Sequence, residues 1–168
     1  CYLASKEEQD KLTATVLTPK GLNRKCVGRD AKTLLGMIGV SVPDNIRCII
    51  FEGPMEHPLI TTELMMPILG IVRAKDFDDA VEKAVWLEHG NRHSAHIHSK
   101  NIDNITKYAR AIDTAILVKN APSYAAIGFG GEGFCTFTIA SRTGEGLTSA
   151  STFTKRRRCV MSDSLCIR

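Results

Sequence analysis

The sequence predicts an α/β fold built from right-handed crossover units on a parallel sheet. Two observations lead there. Between residues 46 and 118, short segments of strand length alternate with helical apolar patterns, the order that places a helix between two parallel strands. In addition, a chain of 168 residues that is 43% hydrophobic and 24% charged can bury a sizeable core, with one domain as the default.

Taken in order, residues 6–17 form the first helix. Leu12, Val16 and Leu17 share one face, Ser5 caps the start, and Glu7 and Glu8 occupy the first turn, where the helix dipole favours acids. The run Thr18, Pro19, Lys20, Gly21 stops it. Asp30 caps a second helix over 31–38, with Leu34, Leu35 and Ile38 inward and Gly39 as terminator. Both helices read as cover for a sheet.

After a turn at 42–45, residues 46–51 are β-branched and aromatic at strand length and read as a buried strand. Pro67 fixes φ and lacks an N–H, so the next strand starts after it and runs over 68–72. Residues 76–87 are a helix ending near Gly90, with Phe77, Ala80, Val81, Ala84, Val85 and Leu87 on one stripe. A short strand over 94–99, a helix over 102–112 and a strand over 115–118 follow. From Asn120 onward Gly, Ala, Ser and Thr dominate, which reads as loop until a last strand over 158–161.

Composition excludes several function classes. The net charge of +4 is modest and partly due to the run 155–158, which gives no case for nucleic acid as the main partner. No apolar run approaches the roughly 20 residues that cross a bilayer, so a cytosolic protein is expected, without a membrane partner. The six cysteines are scattered with no C-x-x-C pair, which predicts free thiols in a reducing compartment.

The stretch from Thr61 to Val72 organises the rest. Glu63 stands in the loop leading into a strand, where it either caps a turn or pairs with an arginine, or else serves a ligand. His93, His96 and His98 invite a metal. Period-two alternation puts His96 and His98 on one face of their strand and His93 in the loop before it, but no acid or cysteine at ligand spacing joins them, which favours structural histidines and no metal. Residues 128–133 match G-x-G-x-x-G by letter. An extended run follows them where the dinucleotide fingerprint needs a helix, so they read as a sharp turn or a substrate-side loop. Arg156, Arg157 and Arg158 suit a phosphate or plain solvent. Cys135, between Phe134 and Phe137, reads as a small buried hydrophobe, and no cysteine here has the setting of a nucleophile.

These motifs together resemble a family. Glu63-Leu64-Met65-Met66-Pro67, the run Gly90-Asn91-Arg92-His93-Ser94-Ala95, the segment Lys119-Asn120-Ala121-Pro122-Ser123-Tyr124, Phe137 to Ala140 with Gly144 to Thr148, and the ending Phe153 to Val160 are similar to the CoA-acylating aldehyde dehydrogenases, in particular the propionaldehyde and acetaldehyde enzymes of bacterial microcompartments. The likeness begins at about Lys6.

The resemblance implies the parallel-sheet fold of the aldehyde dehydrogenase catalytic domain with a C-terminal tail strand. Residues 1–154 would be the C-terminal part of that domain, and residues 155–168 an oligomerisation strand joining a second copy. The implied reaction takes a short aldehyde to an acyl-CoA through a cysteine thioester, with NAD or NADP as cofactor and CoA as co-substrate.

By the same resemblance Glu63 receives the hydroxyls of the nicotinamide ribose, and Met65 stands where the family's phenylalanine lies in E-x-F-G-P. His93, Asn120, Gly128 and Gly130 would lie at the aldehyde pocket. The nucleophilic cysteine, the adenine and pyrophosphate sites and an oxyanion-holding asparagine fall upstream of the matched region. The chain is therefore expected to be incomplete relative to the full enzyme, inactive alone, and cytoplasmic, with a microcompartment as its possible setting. Its rivals are a non-catalytic binding or assembly module, and another reductase of the superfamily with a different acyl acceptor.

Overall fold

Helix α1, Lys6–Val16, starts where its capping box dictates. The Ser5 hydroxyl accepts from the Glu8 N–H at 3.3 Å and the Glu8 carboxylate accepts from the Ser5 N–H at 2.7 Å. The same carboxylate takes a 2.6 Å hydrogen bond from the Tyr2 hydroxyl, which holds it below the usual carboxylate range. A computed structural model describes residues 1–131, 136, 139–140, 146–160 and 162, and the chain divides into two compact units, Cys1–His89 and Gly90–Arg168.

In the first unit, β1 (Tyr2–Leu3) precedes α1, and a tight hairpin of β2 (Leu17–Thr18) and β3 (Gly21–Leu22) follows it. Helix α2 spans Ala31–Met37, with the Asp30 carboxylate accepting from the Thr33 N–H at 2.8 Å. Then come β4 (Ile49–Glu52), the one-turn helix α3 (Pro58–Thr61), β5 (Ile68–Ile71) and α4 (Phe77–Glu88). Strands β1, β4 and β5 form a parallel sheet in that order, Ile49 opposite Tyr2 on one side and Ile68 on the other.

Period-two alternation decides which side of this sheet is core. Ile49 and Phe51 are fully buried with Leu12, Val16, Leu34 and Leu35 of the two helices, so α1 and α2 do cover the sheet. Leu69 and Ile71 point the other way and are exposed.

Gly70 marks the closest approach in this unit. A Cβ there would lie 2.3 Å from Ile60 Cγ1 and 3.1 Å from Phe51 Cζ, so α3 sits directly on β5 with no room for a methyl group. Gly70→Ala is therefore expected to lower the denaturant midpoint by about 1–3 kcal/mol equivalent, the usual range for overpacking. An unchanged midpoint would show that α3 can shift aside without cost.

The second unit contains one parallel crossover, β6 (Ser94–Ile97), α5 (Ile102–Ile112) and β7 (Ile116–Lys119), with Ala95 level with Leu117. The Asn101 side chain caps α5 by accepting from the Asp103 and Asn104 N–H groups. Ala95, Ile97, Tyr108, Ile112 and Val118 are its buried contacts. A 3-10 turn covers Ser123–Ile127, and β8 (Ile139–Ala140) pairs antiparallel with β9 (Gly146–Leu147).

Several details differ from expectation. The strands at 68–71 and 94–97 belong to different sheets, one in each of the two compact units. Strand β4 starts three residues later than expected because the Ile46 N–H turns back to the Pro43 carbonyl. On α4 only Val81 of the expected stripe is buried, and Val85 and Trp86 are exposed. Residues 155–160 are exposed and form no strand among the described residues, so the tail strand is not made within the described chain. The extended run at 134–138 apart from residue 136, the loop at 143–145, Cys135 and Met161 lie outside the described residues. Cys1, Cys26, Cys48 and Cys159 carry free thiols. Among the described residues no helix is long and apolar enough to cross a membrane.

Candidate functional site

Glu63 is held in place from both sides. On one side is α3, whose Leu59 is buried and whose last turn is closed by the Thr62 N–H donating to the Pro58 carbonyl at 3.2 Å. On the other, Leu64 is buried in the core, the Met65 carbonyl accepts from the Gly28 N–H at 3.1 Å, and the Pro67 carbonyl accepts from the Ile49 N–H at 2.9 Å. Met65 adopts φ 54°, the left-handed region that non-glycine residues enter rarely, and its side chain is 64% exposed.

The carboxylate at the middle of this pinned loop is exposed and makes no hydrogen bond or ion pair with any described residue. Among the described residues Glu63 neither caps a turn nor pairs with an arginine, and its carboxylate can be presented to a ligand as an acceptor. Two of the sequence-predicted site residues, Glu63 and Met65, share this loop.

The second unit holds a concave site of about 190 Å³, walled by His93, His96, Val118, Ser123, Tyr124 and Ile127 among others. It forms beside the 3-10 turn, where β6 presents the exposed Ser94 and His96 and β7 the half-buried Ile116 and buried Val118 opposite them. Ala95 and Ile97 face the core, which sends His96 outward, as the alternation predicts. His96 Nε2 lies 3.0 Å from the Ser123 hydroxyl and His93 Nδ1 lies 3.1 Å from the Ser94 hydroxyl. The lining is mainly apolar with two imidazoles and hydroxyls converging on it, the usual make-up of a small-molecule pocket. Among the described residues no group of three or more His, Cys, Asp or Glu is arranged to hold a metal.

Of the residues expected at a pocket, His93 lines this one. Asn120 does not. Its side-chain carbonyl accepts from the Ser99 N–H and its amide donates to the Ser99 carbonyl, both at 2.8 Å, while its own N–H donates to the Ile97 carbonyl. Asn120 clamps the end of β7 to the end of β6, with φ 54°, a conformation asparagine tolerates better than most residues. Gly128 (φ 95°) ends the 3-10 turn and Gly130 (φ 74°) turns the chain back, so these glycines shape the loop behind Ser123 and Tyr124.

The resemblance put the wall of the aldehyde pocket between Asn120 and Gly133, the span that contains Ser123 and Tyr124, but sequence reasoning missed His57 altogether. The Pro58 that follows His57 was a usable signal, since proline favours the first helical position.

Residues 27–153 match the model of the aldehyde dehydrogenase family. The chain belongs to that family. Among curated aldehyde dehydrogenases, it is 50% identical over 143 residues to the acetylating acetaldehyde dehydrogenase of Salmonella typhimurium, spanning 85% of this chain and 31% of that protein. It is 44% identical over 167 residues to the CoA-propanoylating propanal dehydrogenase of the same organism, spanning 99% and 36%. A solved propionaldehyde dehydrogenase from the Clostridium phytofermentans fucose utilisation bacterial microcompartment is 86% identical, with a TM-score of 0.91 over 100% of this chain and 39% of that one. The propionaldehyde dehydrogenase of Rhodopseudomonas palustris, solved with bound CoA and an acylated cysteine, is 51% identical, with a TM-score of 0.90 over 95% and 37%.

This aldehyde dehydrogenase family member therefore spans about a third of the length of the curated relatives it matches. The matched residues 27–153 include both the Glu63 loop and the pocket beside β6 and β7.

Proposed function

We propose that this chain is one part of a CoA-acylating aldehyde dehydrogenase that uses NAD or NADP to convert a short aldehyde, propionaldehyde or acetaldehyde, to its acyl-CoA. The single observation that carries the reading is the exposed carboxylate of Glu63, without a partner among the described residues, on a loop pinned at both ends, within a family member whose relatives acylate CoA.

Glu63 suits the ribose of a nicotinamide nucleotide. Its two oxygens are acceptors only, and two neighbouring ribose hydroxyls are donors that one carboxylate can receive together. The exposed thioether of Met65 offers apolar, polarisable surface beside it. When bound, the nicotinamide accepts the hydride that the aldehyde gives up.

His93, with His96 and Ser123, would line part of the aldehyde pocket, where imidazole nitrogens and a hydroxyl can hold hydrogen bonds. Asn120, Gly128 and Gly130 would act behind them by fixing the turn that carries Ser123 and Tyr124. The nucleophilic cysteine belongs to a part of the enzyme outside this chain. We assign residues 1–154 to the catalytic domain and 155–168 to a strand completed against a second copy. A cytoplasmic setting inside a microcompartment is supported by the origin of the Clostridium relative.

The test combines this chain with the part of the Clostridium propionaldehyde dehydrogenase that it does not cover. Charge-assisted hydrogen bonds contribute about 1.5–3 kcal/mol, so Glu63→Ala is expected to raise KM for the nicotinamide cofactor by roughly tenfold or more, with KM for CoA nearly unchanged. An unchanged cofactor KM would refute the role given to Glu63.

A further inference from the structure

We propose that His57 is a positioning residue for the Glu63 loop: its neutral imidazole caps α3, and α3 in turn fixes where the Glu63 carboxylate stands. The functional half of this inference rests on the ribose-binding reading of Glu63.

Helix α3 is only four residues long and begins with Pro58, which has no N–H. A helix of one turn has no stability of its own in water, so its form depends on its caps and anchors. All three of its remaining N–H groups end on His57. The Leu59 N–H donates to His57 Nδ1 at 3.2 Å, and the Ile60 and Thr61 N–H groups donate to the His57 carbonyl at 2.8 and 3.0 Å. The ring itself is buried against Phe51, with centroids 4.9 Å apart. One residue thus satisfies the whole start of α3, and the chain reaches Glu63 one residue after that helix ends at Thr62, its C-cap.

The cap works in one protonation state. Nδ1 can accept only when the ring is neutral with its proton on Nε2, and a protonated ring would set one donor against another. Burial, together with the charge of Lys6, pushes the His57 pKa below the ordinary imidazole range, and Asp10 opposes the shift. Both charged groups belong to α1. Because the folded value lies below the unfolded value of about 6.5, the cap is fully present above that pH and is lost as pH falls through the lowered folded value.

Two substitutions separate the lone pair from the packing. Phenylalanine keeps an apolar ring against Phe51 and removes the acceptor, whereas asparagine restores a good N-cap acceptor. In the full 168-residue chain, His57→Phe is expected to speed amide exchange at Leu59 through Thr62 by roughly fivefold, about 1 kcal/mol, and His57→Asn to leave it near wild type.

In the combined enzyme, His57→Phe should raise KM for the nicotinamide cofactor by a similar factor without lowering kcat at saturating cofactor. The wild type should show a rise in that KM on acidification that His57→Asn lacks. Unchanged exchange in His57→Phe, or an acid rise in KM that persists in His57→Asn, would overturn the positioning role. Faster exchange with an unchanged cofactor KM would overturn the link from α3 to Glu63 if Glu63→Ala raises that KM, and the ribose role of Glu63 itself if Glu63→Ala leaves it unchanged.

Discussion

Phe51→Ala is expected to lower the unfolding free energy of the first unit by about 3–5 kcal/mol, the range for truncating a fully buried phenylalanine. The ring has no solvent exposure and lies among Leu12, Val16, Leu34, Leu35 and Ile49. It also touches the two places that seat α3: its Cζ lies 3.1 Å from where a Cβ on Gly70 would be, and its centroid is 4.9 Å from that of His57. A loss of that size is a large fraction of the roughly 5–15 kcal/mol that holds a domain together.

Leu69→Ala is the internal comparison. Leu69 lies next to Gly70 but on the outer face of β5, 59% exposed, and its truncation should fall within about 0.5 kcal/mol of wild type. Denaturant melts of the two variants settle the matter. Equal losses would mean that the core does not lie on the Phe51 face of the sheet.

Helices whose caps and periodicity agree were legible to within one residue. Ser5 and Asp30 read as caps, and the structure starts α1 and α2 there, whereas the helix expected over 76–87 starts one residue later with Asp76 as its cap. The two-residue strands Tyr2–Leu3 and Leu17–Thr18 were not legible, because two residues cannot show a period of two. The division into two sheets was hidden for a different reason. A helix between two strands reads alike whether the second strand returns to the first sheet or starts another, and here α4 leads from β5 to β6 in separate sheets.

The candidate site divides along the same line. That Glu63 stands in a loop entering a strand follows from Pro67, and that His96 faces outward follows from its neighbours Ala95 and Ile97. The clamp of Asn120 on Ser99 spans 21 residues through backbone groups that every residue possesses, so no side-chain pattern announces it. The cap at His57 was obscured because histidine is not among the usual capping residues, and only the geometry shows that its Nδ1 takes the place of a hydroxyl or carboxylate oxygen.

On the function proposed above, this chain supplies one part of a divided active site. That division is tested most directly by NADH production from propionaldehyde, NAD and CoA, first with this chain alone and then with the uncovered part of the Clostridium relative added. The expected result is no NADH from the chain alone and CoA-dependent NADH after the addition. Turnover by the chain alone would contradict it and return the search for a nucleophile to its own six cysteines.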